Sequence, residues 1–415
     1  MTLASISSRW ATAARLVADT RDLLEGRPGG SGGEPPAALV SRGWTSFLLS
    51  LGDDELAAIE TRGHDAVWPA RTPTGLRALL EQARDVCALP AFPNSTGPSR
   101  PRRRGETPRK REQIDAFGAI VAPLATRATR VVDVGSGHGH LTREIAHQLA
   151  LPVLGLERDA TLARRARVLS SSASPRGHEP PREATFAITD VLRDGLVLGE
   201  GDCVIGLHAC GELGDAMVTT VAQARGATLA LVGCCLQKRR QESRRPLRVA
   251  PGFVDRLYLP RGLLGLSNLV AGDDGIEATR AENLAARERR LALHRLLSEG
   301  CGPMRLGAEI DGLNRRVAQR DLSLLVARAF TLRGRPVPSR AAVDDAASWA
   351  RVEHARSRRL SVPRALLARV LEVYVLLDRA AYLVDHGFAV EIGALFPVPV
   401  SPRNLALVAA RDASS

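Results

Sequence analysis

Between Arg130 and Glu157 the chain reads RVVDVGSGHGHLTREIAHQLALPVLGLE. Val131, Val132 and Val134 make a buried strand with Asp133 inside it. Gly135, Ser136, Gly137 and Gly139 follow at once, and a glycine turn lets the backbone bend tightly and approach a ligand. Leu141, Ile145 and Leu149 then fall on one face of a helix, and Val153 to Leu156 read as a second strand ending on Glu157. An acid at that place can bind both hydroxyls of a ribose. Two further stretches carry chemistry: GLHACGEL, with His208, Cys210 and Glu212, and LVGCCLQK, with Cys234 and Cys235. Both end predicted strands, and parallel sheets place ligands at the carboxyl ends of their strands. His208 titrates near neutral pH and suits a general base; it could equally hydrogen-bond a cofactor or cap the loop. Glu212 could orient His208 or begin the next helix. Cys210, Cys234 and Cys235 could be small buried core residues, zinc ligands with His208, or a reactive thiol. Adjacent cysteines make awkward joint ligands and no C-x-x-C spacing is present, so no metal is expected.

The run D-x-G-x-G-x-G, followed by polar His140, resembles the first motif of class I S-adenosylmethionine (SAM) methyltransferases more than a nicotinamide site. That resemblance implies SAM as cofactor. Asp133 would organise the loop near its charged amino-acid end, Gly135, Ser136, Gly137 and Gly139 would pack against it, and Glu157 would hold its ribose. Asp190 and Val191 follow the third predicted strand, Ala184 to Thr189, where an acid commonly accepts a hydrogen bond from the adenine amino group. Asp190 could instead cap a helix. GLHACGEL, LVGCCLQK and the C-terminal SPRNLALVA together resemble the methyltransferase-like 25 family, grouped in a broader class with transfer-RNA 2'-O-methyltransferases that carry a comparable H-x-C-G and Cys-Cys pair. The resemblance implies methyl transfer to an oxygen or nitrogen nucleophile. HACG stands where amino-methylating enzymes often carry N/D-P-P-Y/F, and a 2'-hydroxyl acceptor suits a general base.

The implied fold class is α/β: a Rossmann-like class I sheet with an N-terminal helical region and a helical insertion before the last two strands. The expected organisation is a helical region over 1–90, a Pro/Arg-rich linker over 91–108, a SAM-binding core over 109–236, a mainly helical insertion for substrate recognition over 237–387, and a strand pair over 388–415. Helices are expected over AENLAARERRLALHRLL (281–297) and RALLARVLEVYVLLDRAAYLV (364–384).

With 415 residues, 45% of them hydrophobic, a sizeable core is expected. The net charge of +12 permits an RNA partner. Only Lys110 and Lys238 are lysines, so the excess is arginine and fits a compositional bias equally well. Two segments could contact phosphate: 100–111, and 238–248, which leaves the fifth strand with six basic residues and one acid. Six cysteines form no disulfide framework, so no disulfide-linked partner is expected. No apolar run reaches the length of a membrane span and no secretory signal is evident, which makes the cytoplasm the expected location. A protein or small-molecule methyltransferase, or a catalytically silent SAM-fold module, would share most of these features.

Overall fold

The computed structural model describes residues 3–28, 34–93, 106–171, 184–249, 254–270, 280–314, 317 and 321–411. Half of the first basic segment, residues 100–105, lies outside them. The strands are β1 (Arg130–Val134), β2 (Val153–Glu157), β3 (Ala184–Ile188), β4 (Asp202–Cys210), β5 (Thr228–Cys234), β6 (Ser243–Arg244), β7 (Leu259–Pro260), β8 (Phe388–Ala394) and β9 (Leu405–Arg411). Seven form one sheet in the order β3-β2-β1-β4-β5-β9-β8, and β6 pairs with β7 as a separate ribbon. The first five strands are parallel, and β9 runs antiparallel to both β5 and β8. The expected terminal strand pair is therefore present and closes the sheet on β5. Between β1 and β4 the strand order reverses, and open α/β sheets bind ligands outside the carboxyl ends at such a switch point.

The central strands are near-continuous apolar runs because helices cover both faces of the sheet. Val131 and Val132 of β1, Cys203 to Ile205 of β4 and Leu229 to Val232 of β5 are all buried. The helix Pro108–Ala125 lays Ile114, Phe117 and Val121 into a cluster with Val131, Ile205, Ala230 and Val232. Its start is set locally: Thr107 Oγ1 accepts the Lys110 N–H at 3.3 Å, and Pro108 stands in the first turn. The helix Glu212–Gln223 buries Met217, Val218 and Val221, and Met217 packs so closely on β4 that a side chain at Gly206 would meet it at 2.7 Å.

The chain folds into two compact units. One comprises Met1–Arg21, Gln82–Ala271 and Ala368–Ser415 and contains the sheet. The other comprises Asp22–Glu81 and Gly272–Leu367. The helix Arg340–Asp385, 46 residues long, has residues in both. Toward its C-terminus, Val370, Leu371, Val373, Tyr374, Leu377, Ala380 and Ala381 are buried within the sheet unit. The helical unit has its own core, built from Leu293, Leu297, Leu325, Val326, Phe330 and Ala350. No helix among the described residues is long and apolar enough to cross a membrane.

A buried charge network ties the sheet unit together. Asp215, on the helix Glu212–Gln223, accepts from Arg239 Nη1 at 2.8 Å, Arg379 Nε at 2.9 Å and Arg244 Nη2 at 3.2 Å. Asp378 accepts from Arg244 Nη2 at 2.7 Å and from the Leu247 and Arg248 N–H groups at 2.8 and 3.1 Å. Arg379 also donates to the Gly211 carbonyl at 2.8 Å. Burial pushes the Asp215 carboxyl up, but Arg244, Arg379 and Arg239 together outweigh it and hold it well below the usual range.

Removing the Asp215 charge leaves three guanidinium groups short of a partner. Asp215→Asn is expected to lower stability by about 3–5 kcal/mol in urea unfolding. The depressed pKa fixes the sign with pH. The contribution is complete above the ordinary carboxyl value of 3.8 and is lost as pH falls below it, so the difference between wild type and variant should narrow on acidification.

Candidate active site

The glycine turn leaves β1 and is stitched to β2: the Gly135 and Ser136 N–H groups both donate to the Leu156 carbonyl, at 2.9 and 3.1 Å. Gly139 has φ +69, and a Cβ there would lie 2.4 Å from Phe186 Cζ on β3, so only glycine fits. Gly137 has φ +55 and a Cβ there would meet nothing within 4 Å. Its backbone therefore borders open space at the switch point. Glu157 ends β2 with Oε2 accepting the Gly137 N–H at 3.0 Å and Oε1 accepting the Asp159 N–H at 2.9 Å. A carboxylate has about four acceptor sites, so Glu157 can fix the turn and still receive two ribose hydroxyls. Ser136 Oγ and His138 Nδ1 are buried polar atoms with no hydrogen-bond partner among the described residues. Asp133 accepts from Thr142 Oγ1 at 2.7 Å, and burial pushes its carboxyl up to about 6. The turn, its orphaned polar atoms and the acid beside it fit a nucleoside cofactor with a charged tail.

Past β3, Asp190 caps the short helix Val191–Asp194, its Oδ1 accepting the Leu192 N–H at 3.2 Å. Its Oδ2 accepts from Arg240 Nη2 at 2.6 Å. The capping role open in the sequence is thus present, and the arginine is an unforeseen partner. Val191 is buried beside it.

β4 carries one extra residue where Leu207 pairs with Val232 and Ala209 with Gly233. That residue is His208, held at φ +69. Such a bulge re-aims a side chain at the end of a strand. His208 Nε2 lies 3.0 Å from Gln113 Oε1, and Gln113 Nε2 donates to the Val400 carbonyl at 3.1 Å. The second bond fixes the amide, so Gln113 Oε1 accepts and His208 Nε2 carries the proton. Nδ1 is then the basic nitrogen. Burial, with Lys110 and Arg403 adding to it, pushes the imidazole down to about 4 and keeps it neutral.

Glu212 begins its helix and accepts the Arg240 N–H on Oε2 at 2.6 Å. It holds the loop after β5, which agrees with the helix-start reading. The three thiols converge beneath His208. Cys210 and Cys234 both donate to the His208 carbonyl, at 3.3 and 3.1 Å, and their sulfurs are 2.8 Å apart. The Cys234 contact, then Lys238, Cys235 and Arg403, lower the Cys210 thiol despite burial.

Gln113 and Lys110 were not singled out from the sequence. Burial lowers the Lys110 ammonium, while Asp133 and Glu106 oppose the shift, which places it among the acids of the site. One signal was available: Lys110 is one of two lysines in an arginine-rich chain.

Residues 109–242 match the family described as a methyltransferase domain. With its sheet order, glycine turn and terminal acid on β2, this segment is a class I, SAM-dependent methyltransferase domain. Among solved structures, a TehB-like SAM-dependent methyltransferase from Corynebacterium glutamicum is similar at 16% identity over 28% of this chain and 61% of its own, with TM-score 0.22. Magnesium protoporphyrin IX methyltransferase from Synechocystis PCC 6803, with bound SAH, is similar at 20% identity over 31% and 62%, with TM-score 0.23. Coclaurine N-methyltransferase, bound to N-methylheliamine and SAH, is similar at 12% identity over 87% and 95%, with TM-score 0.24. The chain thus spans about three-fifths of the first two; at these scores the likenesses carry no argument beyond the domain match.

The tautomer of His208 is open to direct test. Long-range proton–nitrogen spectra of nitrogen-labelled protein should show one histidine, absent in His208→Gln, with a protonated Nε2 and a bare Nδ1 at pH 7. Gln113→Leu should remove that preference. A protonated Nδ1 in the wild type would contradict the assignment.

Proposed function

We propose that the whole protein is a SAM-dependent methyltransferase of the methyltransferase-like 25 family, acting in the cytoplasm on RNA at an oxygen or nitrogen nucleophile. The observation that carries the catalytic part is the placement of both halves of the reaction at one sheet edge: the glycine turn and Glu157 after β1 and β2, and His208 on its bulge at the end of β4. When bound, SAM supplies an electrophilic methyl carbon on a sulfonium. Glu157 would hold the ribose, Asp133 and the turn backbone the amino-acid end, and Asp190 with Val191 the adenine, for which Asp190 must share its carboxylate with Arg240. His208 Nδ1 is the atom that would take the acceptor's proton, while Gln113 keeps the ring in place. Glu212 acts at a remove, by fixing the loop that borders the acceptor.

Support for RNA comes from the loop after β5, though not from all of it. Arg239 and Arg244 are buried in ion pairs, and Arg248 pairs with Asp385 at 2.8 Å and stacks on Trp10. Arg240 is exposed but pairs with Asp190 at 2.6 Å, so Lys238 and Arg245, both exposed, are the groups offered to phosphate.

Incubation with methyl-labelled SAM and separate RNA, protein and small-molecule fractions tests this reading. Label should enter RNA, and uptake should fall steeply with salt. Lys238→Glu with Arg245→Glu should weaken RNA binding without affecting SAM affinity. His208→Ala should slow transfer about a hundredfold or more with SAM affinity kept. Label in protein or small molecules, with RNA blank, would replace the RNA assignment by one of those acceptors.

A further inference from the structure

Three of the described non-glycine residues have positive φ, and two of them, His208 and Cys235, stand at one place in the fold. Both adjoin the thiols of Cys210, Cys234 and Cys235, whose sulfur atoms all lie within 4.8 Å of one another. The convergence is not what strands produce by default. Successive side chains of a strand point to opposite faces, so vicinal cysteines diverge. Cys235 follows the last residue of β5 and has φ +22, a left-handed backbone that brings its sulfur to the same side as that of Cys234. Cys210 is the direct neighbour of Cys234 across the parallel pair β4 and β5. Backbone held in a sparsely populated region persists where the surroundings enforce it, and such places concentrate at functional sites.

We propose that Cys210, Cys234 and Cys235 form a three-thiolate site for a thiophilic d10 cation of the Zn2+ type, at the carboxyl ends of β4 and β5. Thiolate sulfur is the donor that selects such ions. Sulfurs about 2.3 Å from one tetrahedral ion stand about 3.7 Å apart. The observed spacing is close to that value: no pair of the three is more than 4.8 Å apart, and Cys210 and Cys234 must open from 2.8 Å by about 1 Å. Their thiols donate to a single acceptor, the His208 carbonyl, so deprotonation on metal binding costs few other bonds. Three thiolates on a dication leave one negative charge, which Lys238 and Arg403 are placed to offset, since both act on Cys210. Three protein ligands also leave a fourth position for water or an acceptor atom. The vicinal spacing that argues against a metal in the sequence is overcome by the backbone of one residue. A simple disulfide would use Cys210 and Cys234 alone and would leave the turn at Cys235 without a purpose.

The test uses the full chain, reduced, stripped with a chelator and kept free of oxygen. Cd2+ is titrated in and the ultraviolet thiolate-to-cadmium charge-transfer absorption is recorded. Saturation at one Cd2+ per chain is expected. Cys235→Ser changes a half-exposed residue and should keep the fold, checked by circular dichroism. It should lose about a third of the saturating absorption, in proportion to one thiolate of three, and bind at least tenfold more weakly. Cys87→Ser, outside the cluster, should match the wild type. Absence of saturable absorption with folded wild type would overturn the proposal, as would a Cys235→Ser protein indistinguishable from it. In a separate reaction with the thiol oxidant diamide, formation of a Cys210–Cys234 disulfide at the same rate with and without Cd2+ would overturn it too.

Discussion

Two carboxylates, Asp215 and Asp378, hold three guanidinium groups away from water, and the edge of the sheet that carries His208 and the thiols is hung on that arrangement. A buried charge is expensive unless it is paired and hydrogen-bonded. Arg379 comes from the long helix, Arg239 and Arg244 from the loop after β5, and Asp215 from the helix after β4. None can be satisfied unless the others arrive. Through Arg379 the network grips the Gly211 carbonyl, next to Cys210, and through Arg244 and the Leu247 and Arg248 amides it fixes the loop. His208, the thiols and Glu212 thereby sit in a frame whose charges constrain it more narrowly than apolar packing would.

On the other side of the switch point the frame is backbone. Glu157 receives amides from both sides of its position, from Gly137 in the turn and from Asp159 after its own strand. Gly139 is pressed against Phe186, so the turn cannot relax toward β3. Gly137 remains bordered by open space. The two halves are built differently, one from close backbone and the other from a few long-range side-chain contacts.

Much of this half was legible in the sequence. Local periodicity gives β1, the helix after it and β2, and the glycines, Asp133 and Glu157 fall where the motif requires. The terminal strands Phe388–Ala394 and Leu405–Arg411 were legible for the same reason, as apolar runs around a proline turn. What was not legible depends on long-range pairing. Gln113 meets His208 across 95 residues, and Arg244 meets Asp378 across 134. Composition made the segment 238–248 look like a phosphate strip, but an arginine's sign says nothing of whether it faces water or a buried carboxylate. The vicinal cysteines look divergent because strand alternation says so, and the left-handed turn at Cys235 has no sequence signal.

The central claim is that the turn after β1 is a SAM site in this chain. Calorimetric titration with SAM, comparing wild type with Gly137→Ala, tests it most directly. Alanine at that left-handed position costs about 1–2 kcal/mol of stability and meets no protein atom within 4 Å, so the variant should stay folded while its methyl group obstructs the ligand. The account predicts one SAM per wild-type chain and at least tenfold weaker binding to the folded variant. No binding to folded wild type, or equal binding to both, would contradict it.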